Sequence, residues 1–261
     1  MPLGSTATHE PIEIPRSLWG RWKSLDATGL KTLWIKKQNN PNKLIPMTIN
    51  DHRGTSGTMD FPRRGAMLAV DDGYFQPEYK SLKGYAPVVG VIGYKSRIYG
   101  IVVKMLLVDS PYIEDLLIDI YSEAIRLTDK VFEAVVCDNV IYGGFSVYDP
   151  WRLNERIGVP IIVVFDHPLD LIRIKAALES HFEDYIDRYN VIERSYKSSR
   201  VVATPKGYIR MLCIGLKWDI CLKLIADNQT YHPLPQPLRH ADVIASAIGR
   251  ALAMRSSSAK M

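Results

Sequence analysis

The chain has 261 residues, 47% hydrophobic and 23% charged, the balance of an ordinary globular protein and enough length for one sizeable α/β core with an appendage. A formal charge of +5 and a pI near 9.0 favour polyanionic partners without naming one. Cys137, Cys213 and Cys221 form no C-x-x-C pair, which excludes a zinc ribbon and a disulfide framework and leaves three reduced, core-packed thiols as the expectation. There is no apolar leader and no run of membrane-spanning length, so a cytoplasmic protein without membrane association is expected.

Residues 1–62 read as a basic N-terminal extension. Trp19, Trp22 and Trp34 stand among Arg16, Arg21, Lys23, Lys31, Lys36 and Lys37. The Asn39-Asn40-Pro41-Asn42 stretch and the Gly54–Gly57 stretch signal turns or linkers and argue against long regular elements there. Residues 63–254 form the expected core domain. Strands are expected at Met67–Asp71, Ala86–Tyr94 and Ile98–Val108, close enough in sequence for an antiparallel meander. A helix follows over Tyr112–Leu127, where Ile113, Leu116, Leu117, Ile120, Ala124 and Leu127 share one face. The pattern then reads as strand Phe132–Cys137, short helix Pro150–Ile157, strand Val159–Phe165 and one long helix Pro168–Tyr189. Strands apolar on both sides suit a parallel sheet covered on both faces. Beyond a charged loop at Glu193–Arg200 come a strand near Tyr208–Ile214, a helix from Trp218 to Ala226 and a last helix Leu238–Met254. Residues 255–261 are expected to fray. This order is that of a ribonuclease-H-like fold: three meander strands plus two parallel strands, flanked by helices.

The chemistry-bearing residues lie at strand ends. Asp71 and Asp72 close the first strand, Asp109 the third and Asp138 the fourth. Asp71 and Asp138 are expected on adjacent central strands, with Asp109 near the helix that follows its own. Gathered carboxylates repel one another, and a divalent cation with hard oxygen ligands, Mg2+ or Mn2+, relieves that repulsion. Each aspartate taken singly also fits a strand-end or helix-capping role, Asp72 most of all. No dinucleotide fingerprint, P-loop or nucleophile elbow is present, and the histidines, His181 and His240 included, lack metal-ligand spacing. Tyr185 and Tyr189 continue a packing stripe from Leu178 and Phe182.

Six segments carry a resemblance. Leu68-Ala-Val-Asp71-Asp-Gly-Tyr-Phe75, Leu107-Val-Asp109, Val135 through Asp149, Gly158–Val164, Ile174–Phe182 and Leu234-Pro-Gln-Pro-Leu-Arg-His-Ala-Asp242 resemble, in order, an archaeal family known as domain of unknown function 99, a relative of endonuclease V. The Gly143-Gly144-Phe145 run after Asp138 is the most specific part, and the first sixty residues lie outside the match. The resemblance implies an endonuclease V type of fold and a site of Asp71, Asp138, Asp109 and Asp242, all four serving both catalysis and metal binding. It implies Asp71 and Asp138 bridging the ion, Asp109 and Asp242 completing the site, and products bearing a 3′-hydroxyl and a 5′-phosphate. Two features of endonuclease V are missing. Phe165-Asp166-His167 stands where a lysine is expected, and no proline-tyrosine wedge precedes Asp109, which puts deaminated-base recognition in doubt more than metal binding.

The resulting expectation is a divalent-metal-dependent endonuclease acting on DNA or RNA, with Trp19, Arg21, Trp22, Lys23, Trp34, Lys36, Lys37 and Arg239 contacting nucleic acid. Lys104 and Arg97 are further phosphate candidates. The alternative is a non-catalytic nucleic-acid-binding or scaffold subunit that meets a protein or nucleoprotein partner through the extension. A small-molecule phosphohydrolase using the same cluster is a third reading.

Overall fold

The computed structural model describes residues 32–37, 40–48 and 65–258. Two units are distinguished, residues 1–58 and 59–261, and each is described by itself.

In the first unit, β1 (Thr32–Lys37) and β2 (Asn40–Thr48) pair antiparallel. This corrects the expectation that the asparagine-proline stretch argues against long regular elements, since β2 runs through it for nine residues. Leu33, Trp34 and Ile35 are in register with Met47, Pro46 and Ile45.

The second unit is built on a seven-stranded sheet. In chain order it contains β3 (Met67–Asp72), α1 (Tyr79–Leu82), β4 (Tyr85–Tyr94), β5 (Arg97–Leu107), α2 (Ile113–Thr128) and β6 (Ala134–Asp138). There follow β7 (Ile141–Tyr142), β8 (Ser146–Val147), α3 (Pro150–Ile157), β9 (Ile161–Phe165), α4 (Leu171–His181) and α5 (Tyr185–Ser198). The chain closes with β10 (Arg200–Thr204), β11 (Gly207–Ile214), α6 (Trp218–Asp227) and α7 (Gln236–Ser258). The strand order is β10-β11-β9-β6-β3-β4-β5. The meander β3-β4-β5 is antiparallel, β3-β6 and β6-β9 are parallel, and β11 and β10 extend the sheet antiparallel beyond β9. The ribonuclease-H-like mixed sheet is therefore present, extended on one edge by β11, the strand expected near Tyr208–Ile214, and by β10, which was not expected.

Alternation along each strand sends residues to opposite faces. Leu68, Val70, Val135, Cys137, Ile161 and Val163 pack under α2, α3, α4 and α5. Met67, Ala69, Ala134, Val136, Ile162 and Val164 pack under α6 and the start of α7, while Val89 and Val91 meet Ala241 and Ala245 of α7. Both faces of the central strands are thus dry, which is why their sequences are nearly continuous apolar runs. Among the described residues no helix is long and apolar enough to cross a membrane.

Four local expectations need correction. The single helix over 168–189 is two helices, because Phe182 adopts an extended backbone and turns its ring edge-on to Phe145. The charged loop at 193–200 is the second half of α5 followed by β10. Glu193 and Lys197 pair toward solvent, Arg188 turns inward from its pair with Asp184, and Tyr185, Tyr189, Ile192 and Tyr196 face the core. Residues 255–258 continue α7 rather than fraying. Cys213 and Cys221 form a disulfide, with Cα atoms 6.4 Å apart, because the turn after β11 brings the first turn of α6 back under the strand; only Cys137 is free and buried.

Candidate metal centre

The parallel pairing of Val70 with Cys137 places the next residues, Asp71 and Asp138, side by side at the C-terminal ends of β3 and β6. Asp138 is itself in register with Val164 of β9, so Asp166 leaves that neighbouring strand at the same end. By alternation Asp71, Asp138 and Asp166 all belong to the face covered by α6 and α7. Asp242 approaches on α7, between Ala241 and Ala245, which pack on β4. Asp72 belongs to the opposite face.

The electrostatics follow from this placement. Burial and then the charges of Asp138, Asp72 and Asp242 hold the Asp71 carboxyl well above the ordinary aspartate value. Burial, with Asp166, Asp72 and Asp242 next, pushes Asp138 up to about 7. Asp72 rises to about 6 through burial, against the opposing hydrogen bonds it accepts from backbone N–H groups. One of these comes from Gly143, 2.9 Å from Asp72 Oδ2. Asp71 Oδ1 accepts from the Asp72 N–H at 2.8 Å. Asp138 Oδ1 is buried and has no hydrogen-bond partner. An orphaned acceptor costs about 1–3 kcal/mol, and its natural complement is a cation.

Asp109 is differently employed. It sits at a left-handed φ of 63°, its Oδ1 accepts from the Phe145 N–H at 2.7 Å, and its own N–H donates to the Gly143 carbonyl. Arg188 of α5 donates to the backbone carbonyls of both Asp109 and Phe145. Gly144 lies against the Asp109 carboxylate at φ 90°, where any Cβ would collide with Asp109 Oδ1. None of the repulsion raising Asp71, Asp72 or Asp138 comes from Asp109. The glycine loop therefore separates two roles: Gly143 holds Asp72 and Phe145 holds Asp109.

Of the four expected site residues, the structure brings together Asp71, Asp138 and Asp242. Asp166 joins them, while Asp72, which its capping chemistry had set aside, adds its charge from the opposite face. The signal for Asp166 was present in its strand-end position on β9, but the segment stood out first as the place of a missing lysine. Among the described residues no three His, Cys, Asp or Glu side chains already stand close enough to hold a metal ion. The donor set nevertheless fits one: all-oxygen, partly dehydrated, mutually repelling and with one lone acceptor, it suits a hard divalent cation able to draw the carboxylates together.

The basic candidates divide similarly. Lys104 is tied to Glu123, and Arg239 stacks on Tyr231 at 4.9 Å. Trp19, Arg21, Trp22 and Lys23 lie outside the described residues, while Trp34, Lys36 and Lys37 fall on β1. His240 is half-buried beside Gln236, with Nδ1 unpartnered, and burial lowers its pKa, so it is a neutral packing group.

Comparison with known proteins decides the kinship. The profile of the endonuclease dU family matches residues 64–249. The chain belongs to the endonuclease dU family. A UPF0215 protein of Methanothermobacter thermautotrophicus is 30% identical over 182 residues, spanning 70% of this chain and 86% of the relative. A solved protein of unknown function from Archaeoglobus fulgidus is similar at a TM-score of 0.58 and 21% identity, over 70% of this chain and 97% of that one. Endonuclease V of Bacillus subtilis is similar at a TM-score of 0.47 and 11% identity, over 74% of this chain and 83% of that one. The expected kinship with an archaeal family related to endonuclease V is borne out. Membership of the endonuclease dU family covers the whole carboxylate cluster, from β3 to the middle of α7, and leaves residues 1–63 unmatched.

Proposed function

We propose that this endonuclease dU family member is a divalent-metal-dependent endonuclease that hydrolyses phosphodiesters in DNA or RNA. The observation that carries the reading is the convergence of Asp71, Asp138, Asp166 and Asp242 on one face of adjacent strand ends, with Asp138 Oδ1 buried and unpartnered. Asp71 and Asp138 are shielded and Asp166 and Asp242 press on them from the exposed rim; each added carboxylate raises the cost of ionising the buried pair, which an opposing charge relieves.

Asp71 and Asp138 are the residues that would hold Mg2+ or Mn2+, with Asp242 and Asp166 as the outer carboxylates. When bound, the cation supplies a Lewis acid for a phosphoryl oxygen and lowers the pKa of a bound water. The chain's own residues do the rest. Asp242 lies on the exposed surface of α7, where its carboxylate can orient an attacking water and accept its proton. Asp72 and Asp109 hold the two ends of the glycine loop and so fix the wall beside the cluster. In this reading Asp109 positions the loop rather than binding metal.

The family's name carries dU, which makes deoxyuridine-containing DNA the first substrate to test. Wild-type protein and Asp138→Asn are incubated with Mn2+ and single- or double-stranded DNA and RNA, with and without deoxyuridine or inosine. The expected result is cleavage by the wild type alone, leaving a 3′-hydroxyl and a 5′-phosphate. Equal cleavage by both proteins, or none on any substrate, contradicts the proposal.

A further inference from the structure

After Asp72 the chain is laid along α7 by three contacts spaced one helical turn apart. Gly73 lies against the backbone carbonyl of Ala245, and Gly249 lies against the backbone of Tyr74, each so close that a Cβ on either glycine would collide. Gln76 Nε2 then donates to the Ala253 carbonyl at 3.2 Å. Residues 245, 249 and 253 form a single i, i+4 row, so the segment leaving the acidic cluster is held in fixed register on the helix that carries Asp242.

This register brings Tyr74 under Arg250. The guanidinium lies 5.6 Å from the ring centroid, within cation–π range, and Tyr74 is 42% exposed. Among the described residues Arg250 also lacks a carboxylate partner. Lys104, Arg188, Arg194 and Lys223 are each neutralised by a carboxylate, whereas among the described residues no carboxylate pairs with Arg250. It follows Asp242 by eight residues, a rise of about 12 Å along α7. A cation with no carboxylate partner among the described residues, stacked on a partly exposed tyrosine two residues from Asp72 and two turns from Asp242, matches the way proteins hold single strands: cations on phosphates and aromatic faces on bases.

We propose that Tyr74 and Arg250 form a contact for a single nucleic-acid strand leaving the acidic site, Arg250 taking a phosphate and Tyr74 a base. The proposal rests on the reading of the site as nucleic-acid-directed and adds residues that reading does not use. The phosphate contact answers a problem the cluster creates, since a polyanion approaching several carboxylates needs a nearby cation to hold it in place. The contact carries no base sequence information by itself, so it acts alike on strands of different sequence.

The test is equilibrium binding of a fluorescein-labelled single-stranded DNA to the full chain in EDTA, followed by anisotropy over a series of salt concentrations. Arg250→Gln is expected to weaken binding about tenfold and to flatten the dependence of log K on log salt by about 0.7 to 1. Arg250→Lys keeps the slope. Tyr74→Leu is expected to weaken binding about five- to hundredfold without changing the slope. Lys223→Gln, which removes a cation already paired with Asp227, binds as the wild type. Wild-type affinity and slope in both Arg250→Gln and Tyr74→Leu overturn the proposal, as does a wild-type protein that binds no nucleic acid. The nuclease reading fails separately: if the binding effects appear but Asp138-dependent cleavage with Mn2+ does not, the strand contact stands and the catalytic assignment falls.

Discussion

Asp138 and Asp109 look alike in sequence, each closing an apolar strand and each followed by a turn, yet their surroundings make them opposites. Asp109 spends its carboxylate on a backbone N–H and lies in a loop clasped from α5 by Arg188. Asp138 is buried with an oxygen bonded to nothing and with other carboxylates pressing on it. The difference separates a carboxylate that builds structure from one that waits for a ligand: the first lowers the energy of the folded chain, the second raises it.

The largest expected effect is on turnover. Asp138→Asn is expected to lower metal-dependent cleavage about 10^3-fold, equivalent to about 4 kcal/mol of barrier. Asp109→Asn, acting through the loop, costs about 10- to 100-fold. Single-turnover rates with saturating Mn2+ check both, and equal losses would erase the distinction.

Stability against pH sharpens it. Asp72 and Asp138 titrate near 6 and 7 in the folded protein, above the 3.8 of an ordinary aspartate. The folded state therefore binds more protons than the unfolded one between about pH 4 and 7. The stability these carboxyls contribute is complete below their unfolded pKa and is lost as pH rises through 6 and 7. Metal-free protein is expected to melt several degrees lower at pH 8 than at pH 5 by calorimetry, and Mn2+ is expected to restore much of the difference. Asp138→Asn, metal-free at pH 8, is expected to melt above the wild type. A Tm that rises with pH over this range contradicts the assignment.

Gly144→Ala probes the structural carboxylate. A methyl group there meets Asp109 Oδ1 in a backbone conformation that disfavours side chains, so a loss of about 1–3 kcal/mol in urea unfolding is expected, with little change in the pH dependence. The smallest effect is expected from removing residues 1–58, which lie in their own unit. If the basic extension contacts nucleic acid, affinity falls and its salt dependence flattens while the Tm of the remaining domain holds.

Much of this fold is legible in the sequence because the core obeys simple periodicities. Met67–Val70 and Ile161–Phe165 are apolar on both faces, and α3 is announced by Asp149 capping Trp151 ahead of Pro150 at its first position. Elements that tertiary contacts override are not legible. Phe182 breaks one expected helix because its ring is needed against Phe145, and the charges of α5 conceal its buried tyrosines. The candidate site divides in the same way. Asp71, Asp138 and Asp242 are found from strand ends and motif resemblance. The roles of Asp72 and Asp166 depend on which strands are neighbours and which backbone groups reach them. The satisfied state of Asp109 depends on a loop more than thirty residues away in sequence and cannot be read locally.

The Asp71–Asp138 cluster, and not Asp109, is expected to hold the metal. Titration of Mn2+ into the wild type, Asp138→Asn and Asp109→Asn near pH 7.5, followed calorimetrically in buffers of different ionisation enthalpy, tests it most directly. Binding with proton release is expected in the wild type and in Asp109→Asn, and loss of both signals in Asp138→Asn. Tight Mn2+ binding by Asp138→Asn, together with its loss in Asp109→Asn, would contradict it.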